Sequence, residues 1–260
     1  MAIRFDKLNI LKDEDYFEPM AISVEDKNRR RELTNLLIDA FLYFFSVYEV
    51  HSMHKSMLSK ALYEQLVTDR VSDAVSKVTG IDGEMSNYIR KLSKEVVDTT
   101  FKNAEPESED SPLEEPLPSY PLNIDNTDSN HNSNYDDGSF IKIDEEEEGD
   151  EVEEFLEKEA VSDYWLSINR AVNIAQNEAN TFLNYSDFVN AKAQGYTKKT
   201  WHTMLDNKVR DTHEEIEGMT IGIDEYFQVG NSEMKFPHDW ESAPDPKETI
   251  NCRCAIDYTK

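Results

Sequence analysis

The chain has 260 residues, with 54 Asp and Glu against 27 Lys and Arg, for a formal net charge of −27. That length supports one large core or two small ones, and the acidity argues against strong direct binding of nucleic acid, which needs clustered Lys and Arg to neutralise phosphates. Two cysteines exclude a disulfide framework, and the charged N-terminus Met1–Asp6 lacks the apolar stretch of a signal peptide, so the expectation is a protein made in a reducing cytoplasm.

The charge divides the chain. Residues 103–159 carry 21 acidic groups against Lys142 and Lys158, which is 19 of the 27 net charges. Three segments follow: a helical region over 1–102, an acidic linker over 103–150 and a C-terminal module over 151–260.

From Ser23 to Thr79 there is neither Pro nor Gly, and Ser23 with Glu25 and Asp26 reads as a helix start. The basic stretch Lys27–Arg31 reads as a solvated first turn. Leu33, Leu36, Leu37, Ala40, Phe41, Phe44, Val47 and Tyr48 recur at spacings of three and four, a broad apolar stripe along one helix side. The apolar run Leu33–Val50 carries Asp39 and Glu49 and is too short and too charged to span a bilayer, so no membrane is expected. Ala61, Leu62, Leu66, Val67, Val71, Ala74, Val75 and Val78 repeat the pattern before Gly80 and Gly83 break it. A third helix is predicted from about Glu84 to Phe101, with Met85, Tyr88, Ile89, Leu92, Val96 and Val97 inward. Residues 24–102 thus form a helical hairpin or bundle. A lone hairpin cannot cover so wide a stripe, which leaves a homo-oligomer or partner interface through these helices as the second reading.

The linker is rich in Pro, Ser, Asn and Asp and closes on the run Glu145–Glu148. It cannot bury enough apolar surface to offset its ordering entropy and is predicted to be disordered, with Phe140–Ile143 a short strand or docking peptide. After it the pattern predicts a helix over Glu151–Phe182, using Phe155, Leu156, Tyr164, Trp165, Ile168, Val172, Ile174, Ala175 and Phe182, and a second helical piece over Ser186–Gln194. Strands are predicted around Thr197–Leu205, Thr220–Ile223, Tyr226–Val229 and Cys252–Tyr258, with Asp206 capping a short helix that ends before Gly218. The fold class is α+β: helices first, then a small sheet crossed by a helix.

Several residues of the module fall at recognisable spacings. Glu178 is followed six residues later by Asn184. Gly195, Lys199-x-Trp201, Asp206-x-x-Val209-Arg210-x-x-His213 and Gly218 come next, then Phe227, Phe236-Pro237-His238-Asp239 and the closing Ile250-Asn251-Cys252-Arg253-Cys254. In this order they resemble the Mu F-like phage head morphogenesis family, the minor head or minor capsid proteins. Gln176 and Asn177 replace the family's usual Arg and Thr, and His238 replaces the Gly of its Pro-Gly-Asp turn. The resemblance covers roughly the last 100 residues. It implies a structural component of the virion, at the capsid interior or portal vertex, acting in head assembly and DNA packaging or delivery. Its partners would be the portal protein and other head proteins, and Glu178, Asn184, Trp201, Asp206, Arg210, His213, Gly218, Pro237, Asp239, Asn251, Cys252, Arg253 and Cys254 would be structural motif residues.

Read without the family, Asp206, Arg210 and His213 lie at i, i+4 and i+7, so on a helix they share one face. Cys252 and Cys254, as strand neighbours, point to one side and Arg253 to the other. Three chemistries compete. Arg210, His213, Asn251 and Arg253 hydrogen-bond the module together, with the cysteines as small core residues; this reading needs no cofactor and leads. In the second, His213, His238, Cys252 and Cys254 bind a structural zinc. In the third, His213 with Glu214, Asp206 or Asp239 forms a hydrolytic or transferase centre. No Gly-rich phosphate loop, His-Glu-x-x-His or Gly-x-Ser-x-Gly is present, so the expectation is a non-enzyme. Two alternatives stay open: a phage-borne enzyme or effector using the Asp206, Arg210 and His213 face, and a prophage-encoded protein that binds through its acidic segment.

Overall fold

The computed structural model describes residues 17, 22–81, 83–104 and 164–260. The expected disordered linker, the Phe140–Ile143 strand and the start of the helix predicted from Glu151 lie outside them. The described residues form a mixed α+β structure, as predicted, with helices first and two small antiparallel sheets after them.

Helix α1 spans Val24–Met53, and Ser23 caps it by accepting from the Asp26 amide at 3.1 Å. Helix α2 spans Lys60–Thr79 and ends on Gly80 at φ 69°, a left-handed position that suits glycine. Helix α3 spans Ser86–Ala104. Helix α4 runs unbroken over Ile168–Ala193, so the two pieces predicted on either side of Asn184 are one helix. No Gly or Pro interrupts it, and its polar residues point into the protein, which hides the apolar period from a sequence reading.

The stripe on α1 finds its partners inside the chain. Leu33, Leu37, Phe41, Phe44 and Tyr48 are buried with residues of α2, α3 and α4 in one hydrophobic core that reaches Ala171, Ala175, Phe182 and Leu183. Ile38, Leu42 and Phe45 are buried as well, because α1 lies between α2 and α4 and is covered on two sides. Against the expectation that Leu33–Val50 is too short and too charged, α1 is long and apolar enough to cross a bilayer by length and composition; here its apolar side faces α2 and α4. On α2 Val67, Val71, Ala74 and Val75 are buried as predicted, but Leu62 is 56% exposed, and its neighbour Tyr63 is buried among Phe44, Tyr48 and Phe101 in its place.

Polar contacts set how the helices meet. Arg170 of α4 donates to Thr100 Oγ1 and Thr99 Oγ1, both at 2.8 Å, and to the Val96 carbonyl at 3.3 Å, which fastens α3 to the start of α4. Burial pulls its guanidinium down to about 10. Arg30 corrects the reading of Lys27–Arg31 as solvated, for it is 2% exposed. Its Nη1 donates to Asn180 Oδ1 and its Nη2 to Asn184 Oδ1 at 3.0 Å. Arg29 pairs with Asp187 of α4 at 2.9 Å.

The rest of the chain sits against α4. Strand β1, Lys198–His202, is the centre of a three-stranded sheet between β2, Thr220–Gly222, and a terminal strand, Ala255–Thr259. Trp201 pairs with Ile256 and His202 with Ala255. Strands β3, Phe227–Val229, and β4, Ser232–Met234, form a separate hairpin; the terminal strand is β5. The β4 strand and the short helix described below went unpredicted. Lys199 and Trp201 face the interior together. The Lys199 ammonium closes the β2–β3 turn by donating to the Ile223 and Glu225 carbonyls at 2.9 and 2.6 Å, and burial pulls it down to about 8. Trp240 stacks between Tyr88 of α3 and Tyr185 of α4, at 4.9 and 5.2 Å.

Truncating Arg30 leaves two buried amide oxygens short of a donor. Arg30→Met is expected to lower the unfolding free energy by about 2–4 kcal/mol. In a urea-denaturation double-mutant cycle with Asn184→Ala, the double variant should lose less than the sum of the two single losses; full additivity would show that the two residues do not act together.

Candidate functional site

The segment Ile250–Cys254 is where the motif residues meet. Helix α5 spans Asp211–Glu214 and α6 spans Pro246–Thr249, the latter opened by Pro246 and capped by Asp245, which accepts from the Lys247 amide at 3.0 Å. After α6 the chain turns through Asn251 at φ 56° and runs extended into β5. Cys252 and Cys254 therefore precede the strand; they do not belong to it.

This stretch lies against α4, and α4 side chains take up its backbone groups. The Cys252 carbonyl accepts from Asn180 Nδ2 at 3.2 Å and from His238 Nε2 at 2.8 Å, and the Cys254 carbonyl from Asn184 Nδ2 at 3.3 Å. The Asn251 amide donates to Asn177 Oδ1 at 3.0 Å. Asn184 Nδ2 also donates to the Pro237 carbonyl at 3.2 Å. Arg210 Nη2 donates to the Ile250 carbonyl, and Arg253 turns outward to Asp206 at 2.6 Å.

Inward, both thiols meet one imidazole. His213 Nδ1 is 3.3 Å from Cys254 Sγ and 3.6 Å from Cys252 Sγ. The ring stands edge-on to Trp201 at 5.6 Å, and Trp201 in turn packs on Phe227 at 5.2 Å. His213 Nε2 faces Glu248 Oε2 of α6 at 3.3 Å, although the angle gives it no hydrogen bond. Glu248 is itself buried and accepts from Thr212 Oγ1 at 2.8 Å. Gly230 admits this arrangement: it has φ 56°, and a Cβ there would lie 2.9 Å from Glu248 Oε1. The hydrogen bond from Cys254 and those with His213 and His238 hold the Cys252 thiol well below its usual range against the opposing effect of burial. Cys254, as donor to Cys252 and buried, is held well above it.

Several sequence expectations need correction here. Asp206, Arg210 and His213 do not share a helix face, because Arg210 is the extended residue before α5 and Asp206 lies in a turn, accepting from the Lys208 amide at 3.0 Å. Glu214 is exposed. Asp239 is engaged with the Lys235 amide at 2.9 Å and Ser242 Oγ at 2.5 Å. His238 has its ring nitrogens on the Cys252 carbonyl and on Thr181 Oγ1 at 3.2 Å, so among the described residues the group able to hold a metal is His213, Cys252 and Cys254. Burial raises the Glu178 carboxyl, opposed by bonds from Tyr88 at 2.7 Å and Asn177 at 3.1 Å. Gly218 has φ 69° and its amide donates to the Trp201 carbonyl at 2.9 Å, closing the turn into β2.

Asn180, Glu248 and Gly230 are absent from the sequence-derived residues. Asn177, Asn180 and Asn184, at i, i+3 and i+7 along one side of α4, were the available signal for the first. Nothing in the sequence marks Glu248 out from the surrounding acidic residues.

The space beside the thiols is about 10 Å³ and is lined by Met204, Arg210, Asn251 and the three candidate ligands, among others; it holds a water molecule at most. A cleft of about 230 Å³ lies elsewhere, at the end of α2 and the start of α3 near Asp73 and Met85.

His238 occupies a left-handed position at φ 65°, which disfavours side chains with a Cβ. Its two ring hydrogen bonds offset that strain. Both His238→Ala and His238→Gly lose the ring, but only the glycine relieves the backbone, so in chemical denaturation His238→Gly is expected to be more stable than His238→Ala by about 1 kcal/mol. The reverse order would show that the turn relaxes out of this conformation.

Residues 143–257 match the model of the family described as Phage Mu protein F like protein. A curated relative, the NAD(+)--arginine ADP-ribosyltransferase EFV of Enterococcus faecalis, is 29% identical over 108 residues, which make up 40% of this chain and 21% of that protein. The chain thus spans about a fifth of that relative's length. No solved structure matches. The matched stretch is the C-terminal part of the chain, with the His213, Cys252 and Cys254 cluster inside it.

Proposed function

We propose that the chain is a phage minor head protein, a structural component of the capsid acting near the portal in head morphogenesis and in DNA packaging or delivery. The observation that carries this reading is the family match over residues 143–257. The module's geometry supports it: Asp206, Arg210, Asn184 and Asn251 are each bonded to another part of the same fold, an arrangement suited to a rigid binding module. The turn between α1 and α2 leaves Val50, Met53, Met57, Leu58 and Leu62 exposed, apolar surface of the kind that contacts other proteins. In this reading the partners are the portal protein and other head proteins, and the location is the capsid interior or portal vertex.

A second reading follows from the ADP-ribosyltransferase relative: a phage-borne enzyme or effector. The enclosure of His213 and both cysteines weighs against their acting on an arginine side chain or a nicotinamide nucleotide, each far larger than the adjoining space.

The test is fractionation of procapsids and virions of the encoding phage, with immunodetection of the chain and pull-down on purified portal rings. The expected result is presence in both particles at few copies and retention on the ring. Absence from both particles, or transfer of ADP-ribose from NAD+ to an arginine-rich acceptor by the purified chain, would contradict the proposal.

A further inference from the structure

We propose that His213, Cys252 and Cys254 bind a zinc ion that ties α5 to the chain's closing segment, with Glu248 orienting the imidazole. In a tetrahedral zinc site, with metal–sulfur bonds of about 2.3 Å and metal–nitrogen bonds of about 2.0–2.1 Å, a nitrogen and a sulfur ligand stand about 3.6 Å apart. The two distances from His213 Nδ1, 3.3 and 3.6 Å, have that size, and all three donor atoms lie within 4.8 Å of one another.

One imidazole nitrogen and two sulfurs converge on one small space, and hydrogen bonds can join them only in pairs. A divalent ion accepts from all three at once. Two thiolates then neutralise its charge, which limits the cost of burying it. The fourth position opens on the adjoining space of about 10 Å³, enough for one water ligand.

The surroundings match what a metal-bound histidine requires. A ligating imidazole usually presents its other nitrogen to a carboxylate, which fixes the tautomer and ring orientation. His213 Nε2 is buried, has no hydrogen bond and looks at Glu248 Oε2 from 3.3 Å. With the metal on Nδ1 the proton is confined to Nε2, the nitrogen that lies beside Glu248. The carboxylate is held in turn by Thr212 Oγ1, and Gly230 leaves room for it.

The experiment uses the full chain, purified without a metal-affinity step from zinc-supplemented cells. Elemental analysis by plasma mass spectrometry is expected to find about one zinc per chain. The chain has two cysteines in all, so a thiol-specific mercurial should release that zinc at about two equivalents, a readout that needs no variant to fold. Glu248→Gln keeps all three ligands and should weaken zinc binding about 10–100-fold in competition with a colorimetric chelator; unchanged affinity would overturn the role of Glu248. A folded chain that neither contains zinc nor takes it up from a buffered zinc solution would overturn the site, as would bound zinc that the mercurial does not release.

Discussion

Two asparagine side chains of α4 join the beginning of the described chain to its end. Asn180 and Asn184 each receive a hydrogen bond from Arg30 on the carbonyl side of the amide and give one to the Cys252 or Cys254 carbonyl from the nitrogen side. An amide can do this because it carries acceptor and donor at opposite corners. No apolar residue could substitute, and neither could a carboxylate, which lacks the donor. Apolar burial supplies more energy: each fully buried Leu or Phe of the α1 face is worth about 1.5–3 kcal/mol, against a net of about 0.5–1.5 kcal/mol for an ordinary hydrogen bond. What the polar relay adds is register. An apolar stripe tolerates sliding by a turn, whereas Arg30 displaced from the asparagines would be a buried charge facing empty amides.

The same constraint explains the form of the closing motif. Asn251 turns the backbone, and the carbonyls of Cys252 and Cys254 are handed to α4. Alternation then sends both thiols toward His213 and Arg253 toward Asp206. The small size of cysteine suits a strip pressed between a helix and the Trp201 and Phe227 rings. Glu178 works by comparable logic on the other side of α4, where Tyr88 of α3 donates to it.

Much of this was legible in the sequence, and for identifiable reasons. The helices of the first hundred residues follow from uninterrupted 3.6-residue spacing, and the Gly80 stop from a left-handed cap. The motif residues of the module were found because their spacing resembles a family. Their roles were less visible. Arg30 reads as solvent-facing among four polar neighbours because its partners lie 150 and 154 residues away. The shared face expected for Asp206, Arg210 and His213 fails because α5 begins only at Asp211, a short helix whose start no strong cap announces. Glu248 reaches His213 across 35 residues, through a four-residue helix that carries too few residues to show a period. Long-range polar contacts of this kind leave no local pattern.

The central claim is that the helices before residue 105 and the module after residue 163 share one core through α4. The most direct measurement is equilibrium urea unfolding of the full chain, followed in parallel by far-ultraviolet circular dichroism, dominated by the long helices, and by the reactivity of Cys252 and Cys254, which reports the module alone. A shared core predicts one coincident transition with the same midpoint for both signals. Thiols that become reactive at a urea concentration where the helical signal is still native would contradict it.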